Sequence, residues 1–167
     1  METKSKRTRT VTWDDPFTAV QAASGKTGLE LLKEFEKGNL QPPPIAKLMG
    51  FVGTNFEEGK AVFEGEPAEY LYNPIGVVHA GFAMTLLDSA LGCAVHSTLA
   101  VGERYTTLET KCNFVRAITI DTGRVRCEAT ILHRGSTTAT AEGRLTAVAT
   151  GKLLAHGSTT CLVVGAR

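Results

Sequence analysis

Ile75-Gly76-Val77-Val78-His79-Ala80-Gly81-Phe82-Ala83-Met84-Thr85-Leu86-Leu87-Asp88-Ser89-Ala90-Leu91-Gly92-Cys93-Ala94-Val95-His96 is the stretch whose reading decides the fold. Between Ile75 and Gly102 the one Asp, Glu, Lys or Arg is Asp88. A run this apolar, at helix length, predicts a helix over roughly 80–99 that is covered on nearly every side. The run from Ile75 to Ala100 also has the length of a membrane span. The central carboxylate, with Gly81, Ser89, Gly92, His96 and Ser97 scattered around it, favours a buried helix in a soluble protein instead. Carboxylates are almost never fully buried without a partner or a task, so Asp88 is either a structural acid or a functional one.

Downstream of this helix the periodicity changes to that of strands. The segments 105–115, 124–134, 136–149 and 152–163 are separated by Thr122-Gly123, Gly135 and Gly151-Lys152. In one of them Val125, Cys127, Ala129 and Ile131 alternate with Arg124, Arg126, Glu128 and Thr130, which is the period of a half-buried strand. Upstream, 48–57 and 60–66 flank Glu58-Gly59, a hairpin turn signal. Strands joined by such short turns are antiparallel neighbours. The expected architecture is α+β: an antiparallel sheet of about six strands wrapped around one long central helix. Residues 27–37 read as a short helix capped by Thr27 with Glu30 three positions on, and Pro42-Pro43-Pro44 as a stiff, extended connector. Residues 1–26 read as a poorly structured N-terminal tail, from which Trp13 and Phe17 are available to dock on a single domain over 27–167.

The bulk numbers exclude several classes of function. At 167 residues with 43% hydrophobic and 21% charged content, the chain fits one domain with a sizeable core. A net charge of +1 gives no reason to expect nucleic acid or a membrane as partner. Lys4, Lys6, Arg7 and Arg9 cluster at the N-terminus, as in a flexible terminus, and no apolar segment follows them as in a secretory signal. Cys93, Cys112, Cys127 and Cys161 lack the spacing of a zinc site or a redox dithiol, which predicts reduced core thiols and a cytoplasmic home. His79, His96, His133 and His156 form no metal constellation, and no metal or other cofactor is expected.

The spacing Asn73…His79-Ala80-Gly81…Asp88 resembles that of the hotdog-fold acyl-CoA thioesterases, in particular the phenylacetate-degradation and 4-hydroxybenzoyl-CoA thioesterase branch. That pattern has an Asn, a His-Gly-Gly six residues on, and an acid nine residues after the His. Ala80 stands here in place of the first Gly and keeps its backbone N–H. The likeness runs over roughly 40–165 and includes Asn113-Phe114-Val115-Arg116-Ala117 and His133-Arg134-Gly135. It implies a hotdog fold and hydrolysis of an acyl-CoA to free acid and CoA. It further implies that the Gly81 N–H polarises the thioester carbonyl, that Asn73 and His79 position the thioester, and that Asp88 attacks it or activates water. A hydroxyl that orients the water falls at Thr106 or Thr107, of which Thr107 is preferred.

Helix geometry adds a constraint independent of the family. Gly81 and Asp88 are separated by roughly 10 Å along a helix, so one carbonyl cannot easily touch both in one subunit. Antiparallel helices across a twofold axis would bring the N-terminus of one near Asp88 of the other, giving an obligate dimer with shared sites. The family resemblance extends this to a dimer of dimers. Arg116, His133 and Arg134 are candidate contacts for CoA phosphates, with Gly135, Ser136 and Thr137 offering backbone and hydroxyl partners. Plainer roles stand beside these: packing room at Gly81, turn chemistry at Asn73, a helix-start hydrogen bond at His79, a solvated turn at 133–137. Two other functions compete, an enoyl-thioester hydratase or dehydratase on the same fold and a non-catalytic acyl-CoA sensor. The residue set fits the thioesterases better than the former, and retention of Asp88 counts against the latter.

Overall fold

The computed structural model describes residues 6–165, so Lys4 of the basic N-terminal cluster lies outside it. Six strands form one antiparallel sheet: β1 (Phe51–Glu57), β2 (Lys60–Gly65), β3 (Arg104–Phe114), β4 (Val125–Arg134), β5 (Thr138–Ala147) and β6 (Leu153–Val164). Their order is β1-β2-β4-β5-β6-β3, which leaves β1 and the 11-residue β3 as the two edges. The long helix, spanning Ala80–His96 and named α4 below because three short helices precede it, packs against all six strands. This is the hotdog fold, with α4 as the filling.

Small residues on the sheet let the helix sit close. Ala129, Ala139, Ala141 and Ala155 are buried and line the concave face beneath Phe82, Leu86, Leu87, Leu91 and Val95 of α4. A Cβ added at Gly143 would lie 3.3 Å from the Leu91 side chain. Burying each such Leu or Phe contributes about 1.5–3 kcal/mol. The β1–β2 turn is tied to the far end of the helix by the buried Ser97, whose hydroxyl accepts the Gly59 N–H and donates to the Ala94 carbonyl, both at 2.8 Å.

The structure departs from the sequence expectations at several element ends. The helix stops at His96 rather than Leu99: Ser97 and Thr98 turn their hydroxyls onto the Ala94 and Val95 carbonyls, which competes with further helical turns. Pro44 does not extend a connector but starts α3 (Pro44–Met49), where a missing N–H costs nothing. Gly50, at φ 76°, ends that helix in the left-handed region, so the first strand begins at Phe51 rather than Leu48.

Within 1–26, Phe17–Ala22 is a short helix, α1, where a poorly structured tail was expected. Trp13 and Phe17 stay exposed, at 58% and 66%. Polar contacts hold this segment instead. Arg9 donates to the Leu48 and Lys47 carbonyls and stacks 3.7 Å from the Tyr70 ring centroid, while Arg7 pairs with Glu69 at 2.7 Å. The remaining helix, α2 (Gly28–Glu36), carries the capping box expected of Thr27 and Glu30. No helix among the described residues is long and apolar enough to cross a membrane.

Candidate active site

The chain reaches α4 through a tightly bonded loop. Asn73 and Val77 pair through backbone at 2.8 Å, Val78 donates to the Ile118 carbonyl, and the His79 N–H donates to the Leu71 carbonyl. The Asn73 side-chain oxygen accepts the Ile75 and Val77 N–H groups at 3.1 and 3.3 Å, so it holds the turn together. His79 is the N-cap of α4, and its Nδ1 accepts the Gly81 N–H at 2.9 Å. The proton of a neutral ring in that role sits on Nε2. The amide that the resemblance assigns to the carbonyl is therefore capped from within the chain.

A cleft of about 240 Å³ opens at this end of the helix. Asn73, His79, Ala80 and Ala83 form one wall, and Phe114, Arg116 and Ile118 the other. Arg116 is held at its rim by a 2.6 Å hydrogen bond to the Leu153 carbonyl. The positive end of the helix dipole and a guanidinium thus share one small recess with Asn73 and His79.

Asp88 lies two turns along the helix and does not line this cleft. It is exposed on the surface of the chain, in a stripe with Ala80 and Met84, on a helix otherwise buried or half-buried. Thr110 donates to its Oδ1 at 3.5 Å and shares a 3.3 Å contact with the Thr159 hydroxyl. Thr107 faces Cys161 from the same side of β3. Simple alternation would put Thr107 and Thr110 on opposite faces. A bulge between Thr107 and Glu109, which expels Leu108 to 59% exposure, brings both toward the helix. Thr110 was not among the expected site residues, and the sequence carries no signal for the bulge that presents it.

The groups around Asp88 are protonated ones. Burial, reinforced by the Asp88 charge, pushes the Cys93 thiol up to about 12, and burial likewise raises the Tyr105 phenol. A thiol held so high is no nucleophile at neutral pH. Tyr105 lies over Gly92, where an added Cβ would come within 2.6 Å of its hydroxyl oxygen. The His96 ring stands edge-on to Tyr105 at 5.7 Å, and burial holds its pKa below the usual value, which suits a structural, neutral histidine.

The candidates for CoA fall at opposite ends of α4. Arg116 is at the N-terminal cleft, whereas 133–137 form the β4–β5 turn beside the loop that follows the helix C-terminus. Arg134 departs most from the expected role. Its guanidinium donates two hydrogen bonds to Glu103, at 2.8 and 2.7 Å, and another to the Gly135 carbonyl. The same Glu103 carboxylate accepts the Ala100 N–H, and these bonds hold its pKa below the usual carboxylate range. Arg134 is thus a clamp between two loops rather than an open cation. His133, Ser136 and Thr137 are exposed, and the Gly135 N–H closes the turn onto Thr138.

Comparison with known proteins agrees with this architecture. A family model described as the thioesterase superfamily matches residues 75–153, the span from the loop before α4 to the start of β6. The conserved protein PA5202 of Pseudomonas aeruginosa is 31% identical, with a TM-score of 0.67 over 72% of this chain and 93% of that one. A phenylacetic acid degradation-related protein of Ralstonia eutropha JMP134 is 26% identical, with a TM-score of 0.70 over 78% and 97%. The protein smu.793 of Streptococcus mutans UA159, solved bound to acetyl CoA, is 25% identical, with a TM-score of 0.63 over 71% and 91%. No curated protein matches the chain. The chain belongs to the thioesterase superfamily, among its hotdog-fold members.

Proposed function

We propose that the protein is an acyl-CoA thioesterase, active as a dimer in which each site takes its amide donors from one α4 and its carboxylate from Asp88 of the partner subunit. One observation carries the reading. The lone acid of an apolar helix sits on the helix's uncovered stripe, two turns from the amide end where the cleft opens. An exposed carboxylate in one stripe with Ala80 and the 43% exposed Met84 is a surface that a second copy would cover. The neighbouring β3 is an unpaired edge, which suits the same partner. Two such dimers would pair into a tetramer.

The chemistry follows from these parts. First-turn amides at the positive end of α4 draw electron density onto the thioester oxygen and stabilise the tetrahedral oxyanion. Asp88 either adds to the carbonyl carbon, expelling CoA thiolate and leaving an anhydride for water to open, or removes a proton from the water that adds. In both routes one water is consumed, and one carboxylic acid and one CoA thiol are formed. Thr107 and Thr110 are the hydroxyls available to orient the water. Arg116 would meet an anionic part of CoA, with the exposed His133, Ser136 and Thr137 of the β4–β5 turn as a second set of contacts. The unpaired thiols suit the reducing cytoplasm.

Thiol release from a panel of acyl-CoAs, with wild type and Asp88→Asn, tests this. Turnover by wild type and its loss in the variant, with CoA binding kept, is the expected result. Binding without turnover by wild type would make the protein a sensor. Hydration of crotonyl-CoA without thiol release would make it a hydratase.

A further inference from the structure

We infer that His79 is a displaceable cap on the Gly81 amide, so that an incoming acyl carbonyl must exchange with the imidazole before it can be polarised. The inference rests on the acyl-CoA reading of the cleft and assigns one of its residues a positioning role.

Two features of the first turn carry it. The Gly81 N–H is donated to His79 Nδ1 at 2.9 Å, and a Cβ built on residue 81 would come within 2.9 Å of that same nitrogen. The ring therefore lies over both the amide and the Cα of Gly81, in the approach a carbonyl oxygen would take. A side chain at 81 would push the ring aside, which gives a local reason for glycine there that does not depend on substrate.

The cap is built to move at its side chain only. The His79 N–H is bonded to the Leu71 carbonyl at 2.8 Å, and its carbonyl accepts the Phe82 N–H at 3.0 Å. The imidazole itself is exposed, and it lines the cleft together with Ala80 and Ala83. Rotation about its side-chain torsions uncovers the Gly81 amide without disturbing the helix. One N–H···N bond breaks and one N–H···O bond forms, while the released Nδ1 can turn to water. Ligands with a carbonyl at this position must compete with the ring, and ligands without one need not. A neutral hydrogen bond has a net worth equivalent to about 2- to 12-fold in affinity, which sets the size of that competition.

The test uses the full-length protein and two ligands, S-(2-oxopropyl)-CoA, which carries an unhydrolysable carbonyl, and CoA, which has none. Calorimetry is run on wild type, His79→Ala and His79→Asn. His79→Ala is expected to bind the carbonyl ligand about 3- to 10-fold more tightly with CoA affinity unchanged. His79→Asn, which restores a side-chain N-cap acceptor, returns to the wild-type value. In parallel, the Gly81 amide of isotopically labelled wild type is expected to exchange more slowly than that of Ala80. Its resonance should shift with the carbonyl ligand and not with CoA, and this readout decides the matter if His79→Ala fails to fold. Equal exchange of the two amides, or a carbonyl ligand bound no more tightly by His79→Ala while CoA binds all three proteins alike, overturns the cap alone. If wild type binds neither ligand, the acyl-CoA reading fails and the cap falls with it.

Discussion

The two ends of α4 are built on opposite plans. At the C-terminal end the chain closes most of its own polar groups: Ser97 and Thr98 bond the last turn, Glu103 takes the Ala100 N–H, and Arg134 takes Glu103, leaving the buried Arg134 Nε without a partner. At the N-terminal end a cleft stands open between Asn73, His79, Ala80 and Ala83 and Phe114, Arg116 and Ile118, and the Gly81 amide beside it is held by an exposed histidine that lines it. Polar groups satisfied within the chain stabilise it. Polar groups left at the mouth of an apolar recess are available to a ligand. The contrast separates the candidate residues better than their chemical type does: Arg134 and Arg116 are both arginines, but only Arg116 borders the recess.

The largest effect should come from the helix's own charge. Asp88→Asn is expected to lower thiol release about 10³-fold, or about 4 kcal/mol of barrier, with little change in melting temperature because Asn keeps the size of the side chain and its contact with Thr110. A collapse of stability with activity in proportion would make Asp88 structural. At the opposite end the signature should invert. Arg134→Ala leaves the half-buried Glu103 without its cation and should cost about 1–3 kcal/mol in denaturant unfolding, with kcat preserved. Loss of kcat at full stability would move Arg134 into the site.

Two smaller effects sharpen the comparison. Thr110→Val should lower kcat by about tenfold, or about 1.4 kcal/mol, and leave KM alone, since its hydroxyl reaches Asp88 rather than the cleft. The Glu103 carboxylate has a folded pKa below the usual range, so its contribution is present at neutral pH and is lost as pH falls through that range toward the depressed folded value. Unfolding of wild type and Glu103→Gln should therefore differ at pH 7 and converge in acid. A gap independent of pH would show that the clamp is not ionic.

What the sequence reveals depends on how local the cause is. The apolar run with one acid and the alternation in 125–131 each reflect a single element facing a core, and both were legible. Asn73, His79 and Gly81 were legible as neighbours at the start of α4, and Asp88 as an acid two turns on, because their spacing is compact. The clamp was not, because Glu103 and Arg134 come together only through the order of the strands. Thr110 was hidden by a one-residue bulge that resets the alternation of β3. The His79 cap depends on a side-chain torsion, which spacing cannot express. Pro44 was misread because a proline triplet reads equally as extended chain or as the first residue of a helix.

Mixed dimers test the proposed sharing of the site between subunits most directly. Gly81→Val crowds the amide end of α4 and Asp88→Asn removes the carboxylate, so each variant alone should be inactive. Co-refolded at equal amounts, they form hybrids in which one site combines an intact Gly81 with Asp88 of the partner subunit. A site built across the dimer predicts recovery of thiol release in the mixture, at one active site per hybrid. A mixture as inactive as its parents, from wild-type protein that is itself active, would contradict it.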